Sequence, residues 1–585
     1  MTLVRLPAVR DLARLPDPFF DPRERQLLRL PFVIDANPDD DALQSAGMVA
    51  SWFGQQADFR GATFPVAAAA PATGNAVVIA TADKVASSIA LPKILGPTVA
   101  VLPNPNDAHG SLLLVTGRTS AEVVSAAQSL VLGSRALAGE VAPVTAPTIT
   151  QRAPYDAPAW IATDRLVKLG ELVDAVDLQA SGYVPGALRV PFRTAPDLYT
   201  WRNHGLPLEI RYRAPLGPVL DVAVSRLDVG VNNLYVASLP LGENPIGNGS
   251  WLPAFLNRDA VRQVTNVGDE SVTKSIDVPI FGVFGKNELQ FYFDARPLHR
   301  GDCIAIPSDP RMSVDPDSTI DLRRAGRMAS LPNLSFFVSS GFPFSRMADL
   351  SETAVVVPQQ PTGGEIQTYL ELLGRIGAFT GFPAVRVAVV RPDEVSRVAD
   401  RDLLMVGSLP HLRGAAELLR NSPFRMADKS VEIQFGSPLG NIRQVFGGES
   451  AEKSAQLAIQ TAAVGRFSAI IGTESPLRRG RSIVAVVASD SDALDGVVPL
   501  IRNDEQAAKI QGDLAILTGG NVTSFRVGET YNVGHLSPWL YLSWILGDSP
   551  IVLAAALLIG AALLASLGFR ALRRQAGRRM SKTGI

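Results

Sequence analysis

The chain has 585 residues, 46% of them hydrophobic and 19% charged, with 55 basic against 56 acidic side chains. This length allows about four globular units, and the composition excludes bulk disorder, which needs low hydrophobicity and high net charge. The lone cysteine, Cys303, excludes a disulfide scaffold. One apolar stretch long enough to cross a bilayer excludes a helical membrane bundle, and balanced charge gives no general argument for nucleic-acid binding.

In chain order, Met1 to Leu30 carries Arg5, Arg10, Asp11 and Arg14 but no apolar core, so it does not read as a signal peptide. Two copies of one pattern follow. LRLPFVIDANPDDDALQSAGMVASWFGQQADFRGATFPV (28–66) matches SETAVVVPQQPTGGEIQTYLELLGRIGAFTGFPAVRVAVV (351–390): a short apolar strand, a turn, a helical stretch, then an aromatic-Gly tail near Phe-Pro. GSLLLVTGRTSAEVVSAAQSLV (110–131) likewise matches RSIVAVVASDSDALDGVVPLIR (481–502), each a buried-type strand, a polar cap and a helix. Strands alternating with helices predict βαβ units and mostly parallel sheets, here two flavodoxin-like α/β domains over 31–145 and 351–530. No G-x-G-x-x-G or P-loop follows a strand, and the loop Asn37 to Asp41 would repel phosphate. No nucleotide, flavin or other cofactor is expected, and the two domains read as scaffolding.

Between them, over 146–350, the period changes to two. Leu208, Ile210 and Tyr212 alternate with Glu209, Arg211 and Arg213; Leu220, Val222 and Val224 alternate with Asp221, Ala223 and Ser225; Leu289, Phe291 and Phe293 alternate with polar neighbours. Half-buried strands broken by Gly, Pro and Asn turns predict a jelly-roll β-sandwich. Tyr183, Tyr199, Trp201, Trp251 and Tyr292 sit in polar, turn-like settings. An aromatic face packs on the C–H face of a sugar while neighbours such as Arg202, Asn203 and His204 bond its hydroxyls. Tyr183, Tyr199, Trp201 and Trp251 are therefore carbohydrate-contact candidates, although any single such ring more often caps the sandwich core.

Toward the carboxyl end, HLSPWLYLSWILGD (535–548) starts a helix at Ser537 and Pro538, stops at Gly547, and carries Trp539, Tyr541 and Trp544, residues that favour a bilayer interface. It reads as an interfacial amphipathic helix within 531–549. Ile551 to Phe569 has 19 residues and no charge; at 1.5 Å per residue it spans about 28 Å, the thickness of a hydrocarbon core. A transmembrane helix is therefore placed at 550–570, with Ala556, Gly560, Ala561 and Ala565 forming a small-residue face for packing on another helix. Six basic residues and no acidic ones follow Ser549, while the rest of the chain carries 49 basic and 56 acidic groups. The positive-inside rule puts the basic tail, 571–585, in the cytoplasm and the body outside, in a bacterial periplasm. A tail anchor would have to translocate six cations, so the chain is read as lacking its original amino terminus.

DPDSTIDL (315–322), LPNLSFFVSSGFPFSRMADLSETAVVVP (331–358) and the two carboxyl-terminal helices together resemble the family of periplasmic, membrane-anchored regulatory subunits of bacterial cellulose synthase. The resemblance runs from about Leu6 to the end of the spanning helix. It implies a non-catalytic periplasmic protein, anchored in the inner membrane, that supports the catalytic cellulose synthase subunit and guides the nascent β-1,4-glucan; self-association is left open by the sequence. Residues 1–30 resemble the connector after a first carbohydrate-binding domain that is missing here together with the signal peptide.

An enzyme is not expected. A processive synthase would need acidic residues to hold a metal with UDP-glucose, and a Q-x-x-R-W motif; no Trp here follows an Arg. Asp490-Ser491-Asp492 opens a helix and reads as a cap. The five histidines, His109, His204, His299, His411 and His535, stand far apart without metal-ligand spacing. Two alternatives remain open: a carbohydrate-active hydrolase, which needs two carboxylates flanking a cleft, and a cyclic di-GMP-binding regulator. For the second, Arg25 and Arg29 supply an R-x-x-x-R pair, but no D-x-S-x-x-G accompanies it.

Overall fold

The computed structural model describes residues 9–200, 205–215, 220–221, 224–241, 272–279, 283, 285–297, 310–426, 431–433, 454–460, 465–548 and 550–580. The chain is a mixed α/β and all-β protein. Its first sheet runs in the order Val66–Ala67, Phe32–Ile34, Ala76–Ile79, Asp107–Thr116, Thr98–Asn104, Val141–Pro143. The first four strands run parallel, Thr98–Asn104 runs against them, and Val141–Pro143 pairs antiparallel with Thr98–Asn104. A second sheet repeats this order as Ala388–Val390, Thr353–Val356, Asp402–Ser408, Ser482–Ala488, Ser468–Glu474, Leu514–Thr518, and adds Asn521–Phe525. Its strands switch from parallel to antiparallel at the same place. The sequence repeat is thus a repeat of topology.

Caps set the helices. Asp39 accepts from the Ala42 amide at 2.8 Å to start Asp40–Gln56, with Asp40 and Asp41 in the positive first turn. Thr362 and Glu365 form a reciprocal capping box at the start of Gly363–Thr380. These two helices, one from each α/β unit, pack on each other along a glycine seam. A Cβ on Gly54 would stand 2.1 Å from the Gly374 carbonyl oxygen, one on Gly377 2.2 Å from that of Ser51, and one on Gly47 2.2 Å from Tyr369 Oη. Only hydrogen fits at these points. Tyr369 is fully buried in the seam and donates to the Leu43 carbonyl at 2.8 Å. One apolar cluster runs through both units, from Phe32 and Phe53 to Leu373 and Val486. The sequence reads two domains; the structure joins them in one core, because each helix is apolar on the face that meets the other as well as on the face that meets its own sheet.

The segment before the first strand also differs from a free connector. Leu12, Phe19, Phe20, Leu28 and Leu30 belong to that same core, and Leu28–Arg29 pairs in parallel with Ala62–Thr63.

The β region stacks two antiparallel sheets. Among the described residues one contains Gln179–Ser181, Arg311–Val314, Leu206–Arg213, Thr319–Asp321, Leu166–Lys168 and Val272–Val278; the other contains Leu188–Thr194, Gly285–Asp294, Arg226–Val231 and Leu234–Pro240. Leu208, Ile210, Tyr212, Leu289, Phe291 and Phe293 are buried between them, as their alternation requires. Of the alternation at 220–225, Val222 and Ala223 lie outside the described residues. Leu220 forms one isolated bridge to Pro297, Val224 is exposed in a turn, and the strand begins at Arg226. Arg193 ties this sandwich to the α/β pair through Asp58 and the Ala378 carbonyl, and Trp160 Nε1 donates to the Phe379 carbonyl at 3.0 Å.

The chain ends in the helices Pro538–Asp548 and Pro550–Met580. Among the described residues no helix is long and apolar enough to cross a membrane. In the last helix the unbroken run of described side chains, 557–574, includes Arg570, Arg573 and Arg574.

Candidate functional site

The best-defined special geometry lies where the chain leaves the second α/β unit. Tyr531–His535 crosses back to pair antiparallel with Gly326–Leu331, whose other edge holds Leu198–Tyr199. Gly534 has φ +116°, and a Cβ there would stand 2.3 Å from the Arg327 carbonyl oxygen, so glycine is required. At the start of this strand Tyr531 donates to Ser482 Oγ at 2.7 Å, and burial pushes its phenol well above the ordinary value. His535 is therefore a strand residue and not part of the helix that follows.

The middle strand is bolted to the sandwich. Arg327 Nη1 donates to Asp197 at 3.1 Å and Nη2 to Thr163 at 3.2 Å, while its guanidinium lies 4.0 Å from the Tyr155 ring centroid. Tyr155 donates its hydroxyl to the other Asp197 oxygen. Burial, and then the Asp197 charge, push the Tyr155 phenol up. Asp197 is 1% exposed. Losing one partner of such a buried pair costs about 3–5 kcal/mol, because the other charge is stranded.

On this mount sits the helix Pro538–Asp548. Gly326 leaves room for it: a Cβ there would meet Leu536 Cδ2 at 2.3 Å and Leu540 Cδ1 at 3.2 Å. Ser543 donates to the Leu540 carbonyl at 2.7 Å, so its oxygen accepts from the Tyr199 hydroxyl at 2.8 Å. Trp544 meets the Tyr199 ring edge to face, centroids 5.2 Å apart. Leu540, Ser543 and Trp544 are spaced i, i+3, i+4 and so share the inner face. The outer face carries Trp539, Tyr541, Leu542 and Ile545, with Trp539 74% exposed.

In the last helix, Leu557, Leu558, Ile559, Leu563, Leu564, Leu567 and Phe569 are all exposed. Gly560 has no heavy atom within 4 Å of where a Cβ would be, and Ala561 and Ala565 are exposed. The side chain of Ala556 lies outside the described residues.

Of the carbohydrate candidates, two lie among the described residues, on different parts of the sandwich. Tyr183 packs against the sandwich core with its hydroxyl buried and unpartnered among the described residues. Tyr199 holds the aromatic helix. Trp201 and Trp251, with Arg202, Asn203 and His204, lie outside the described residues. Tyr292 is half-buried within the strand Gly285–Asp294. Asp490 is the N-cap of Ser491–Leu494, accepting from the Ala493 amide at 3.0 Å. His411 Nδ1 lies 3.0 Å from Glu365; His204, His299 and Cys303 lie outside the described residues. Among the described residues no group of three His, Cys, Asp or Glu side chains is placed to hold a metal. Arg25 and Arg29 are both exposed. Sequence reasoning missed the Tyr155–Asp197–Arg327 mount entirely, since its members are 42 and 130 residues apart and share no motif.

Three family models match in order: "Cellulose synthase BcsB, first FD domain" over residues 11–144, "second CBM domain" over 166–319 and "second FD domain" over 327–486. A "Cyclic di-GMP-binding protein" of Komagataeibacter xylinus is 41% identical over 582 residues, 98% of this chain and 71% of that one. The chain belongs to the cellulose synthase BcsB family. A relative of the same name in Pseudomonas fluorescens is 37% identical over 582 residues, 98% of this chain and 76% of that one. "Cellulose synthase 1" of Komagataeibacter xylinus is 40% identical over 594 residues, which cover all of this chain but 38% of that one. As a BcsB-type chain it is a regulatory, non-catalytic subunit of cellulose synthesis.

Proposed function

We propose that the carboxyl-terminal helices hold this protein beside a catalytic cellulose synthase subunit, with its body in the periplasm guiding the nascent β-1,4-glucan. The observation that carries the reading is the last helix. It runs on from an aromatic helix mounted on the sandwich, and its described large apolar side chains are exposed. Over Ile551 to Phe569 the sequence has the length and the lack of charge of a membrane span, and the basic tail favours a cytoplasmic end. Trp539 and Tyr541, outward on the preceding helix, suit the headgroup level. In the sequence, Ala556, Gly560, Ala561 and Ala565 then supply small residues for close packing on a helix of the partner. The longer relative named cellulose synthase supports co-assembly, because there a stretch matching this whole chain is covalently part of one synthase polypeptide.

The proposed division is a connector, 1–30; flavodoxin-like units, 31–145 and 351–530; a jelly-roll sandwich, 146–350; the interfacial segment, 531–549; the span, 550–570; and the cytoplasmic tail, 571–585. The match to a CBM domain supports glucan guidance by the sandwich, with Trp201 and Trp251 as its proposed contacts. Deleting 550–580 tests the reading. Glucan synthesis from UDP-glucose in membranes containing both subunits should fall to background, and retained synthesis would refute the docking role.

A second reading, cyclic di-GMP binding, has the printed names of the relatives in its favour. Calorimetry on the purified chain decides it: micromolar binding would establish this role, and its absence would remove it.

A further inference from the structure

Away from the carboxyl-terminal mount, a cleft of about 1180 Å³ opens where the two α/β units and the sandwich meet. The first unit contributes the stretch around Arg60, the sandwich contributes Lys286, and the second unit contributes Arg375, Arg502 and the edge strand ending at Phe525. Six basic side chains line it against three acidic ones. The acids are largely committed. Asp58 is paired with Arg193 and Lys286, and Glu371 accepts from Thr63 and from Gln367 while burial raises its carboxyl above the usual range.

Arg375 is the odd group. Its side chain is half-buried with the guanidinium 4.9 Å from the Phe379 ring centroid; one nitrogen donates to the Val338 carbonyl at 2.7 Å, and its buried Nε has no partner among the described residues. Burial, and then the neighbouring Arg502 charge, pull it down to about 10. One residue on from Val338, the buried hydroxyl of Ser339 is also unpartnered among the described residues and also lines the cleft. The Arg60 side chain is 1% exposed and lies over the Phe20 ring; Nη1 reaches Glu24 at 3.0 Å, but Nε and Nη2 have no partner among the described residues. A buried guanidinium with unused donors is costly unless an anion completes it. Guanidinium forks match phosphate and carboxylate oxygens in geometry and charge.

We propose that this cleft binds a small, multiply charged oxyanion, with Arg375 and Ser339 as its inner donors and Arg60 and Arg502 beside them. With Lys286 of the sandwich also on the cleft wall, such a ligand bridges the units that line it. It fixes the sandwich against the α/β pair and so sets the direction in which the sandwich presents a polymer. Anion binding here does not depend on how the carboxyl-terminal helices dock.

The test uses the full chain in mild detergent, with thermal unfolding followed in chloride, inorganic phosphate, pyrophosphate or citrate at equal ionic strength. A saturable rise in the midpoint with phosphate or pyrophosphate, absent in chloride, assigns a phosphorylated ligand; a rise with citrate alone assigns a polycarboxylate. Arg375→Gln, which keeps a donor toward Val338, should abolish the rise while the unliganded protein still unfolds cooperatively. Ser339→Ala should weaken the anion about fivefold, the effect of one lost hydrogen bond. No anion-specific rise in the parent, or an equal rise in Arg375→Gln, would overturn the proposal.

Discussion

Two helical regions of this molecule are rich in small residues and differ in where their partner lies. In the seam between the α/β units, Gly47 and Gly54 on one helix and Gly374 and Gly377 on the other have neighbours closer than any Cβ allows. In the last helix Gly560 and Gly568 face open space. Glycine in a helix interior costs about 1 kcal/mol relative to alanine, so it is tolerated most readily where a second backbone comes close. The seam has that second backbone within the chain. Among the described residues the last helix has none beside Gly560 or Gly568, and its leucines are exposed, which is why its partner is placed outside the chain.

The sharpest way to break this contrast is to place the same side chain in both regions. Gly54→Val drives a branched side chain into the Gly374 carbonyl and should destabilise by about 3 kcal/mol, seen as a large fall in the thermal midpoint. Gly560→Val should leave that midpoint unchanged and instead lower the amount of catalytic subunit recovered with the chain in mild detergent. If the two variants behaved alike, the contrast would be lost.

Next in size is the mount. Asp197→Ala strands Arg327 and the Tyr155 hydroxyl, and should cost about 3 kcal/mol by denaturant unfolding. It should also loosen the aromatic helix, read as increased solvent quenching of Trp544 fluorescence. A destabilisation below about 1 kcal/mol would mean that the mount is not what orients the carboxyl-terminal helices.

A smaller effect is expected at Glu371, whose carboxyl is pushed up in the fold by burial. A raised carboxyl favours the fold while protonated, so its contribution is fully present below the unfolded pKa of about 4.3 and is lost as pH rises through the folded value. Glu371→Gln should therefore gain stability relative to the parent as pH is raised from 4 to 8. A difference that stayed flat or shrank would contradict the sign. Smallest of all, Trp539→Ala should move folding stability by no more than about 0.5 kcal/mol, because the ring is 74% exposed, while weakening partition into lipid vesicles.

Much of the local structure was legible in the residues. Period-two burial at Leu208, Ile210 and Tyr212 and at Phe291 and Phe293 is as read, as is the Asp490 cap, because alternation and capping are local rules. The repeated α/β pattern was visible because both copies keep strand, turn and helix in the same order. The shared core was not, since nothing in a single helix says that its glycines will meet another backbone. Tyr199, a sugar-contact candidate by its polar neighbours, also holds Trp544 and Ser543, more than 340 residues on, a contact that no local pattern signals. Leu220 to Val224 alternates like a strand; among its described residues Leu220 makes a single bridge and Val224 lies in a turn. The cleft lay beyond sequence reasoning, because Arg60, Lys286, Arg375 and Arg502 converge only once three units have packed.

Whether the last helix docks in the membrane on the catalytic subunit is decided by site-specific crosslinking from that helix in native membranes. In a Cys303→Ser background, Gly560→Cys should crosslink to the catalytic subunit and resist a water-soluble thiol reagent. A cysteine at the exposed Leu234 of the sandwich should react with that reagent freely. A Gly560 cysteine that labels as readily as Leu234→Cys, with no crosslink to the catalytic subunit, would place this helix in water and contradict the docking.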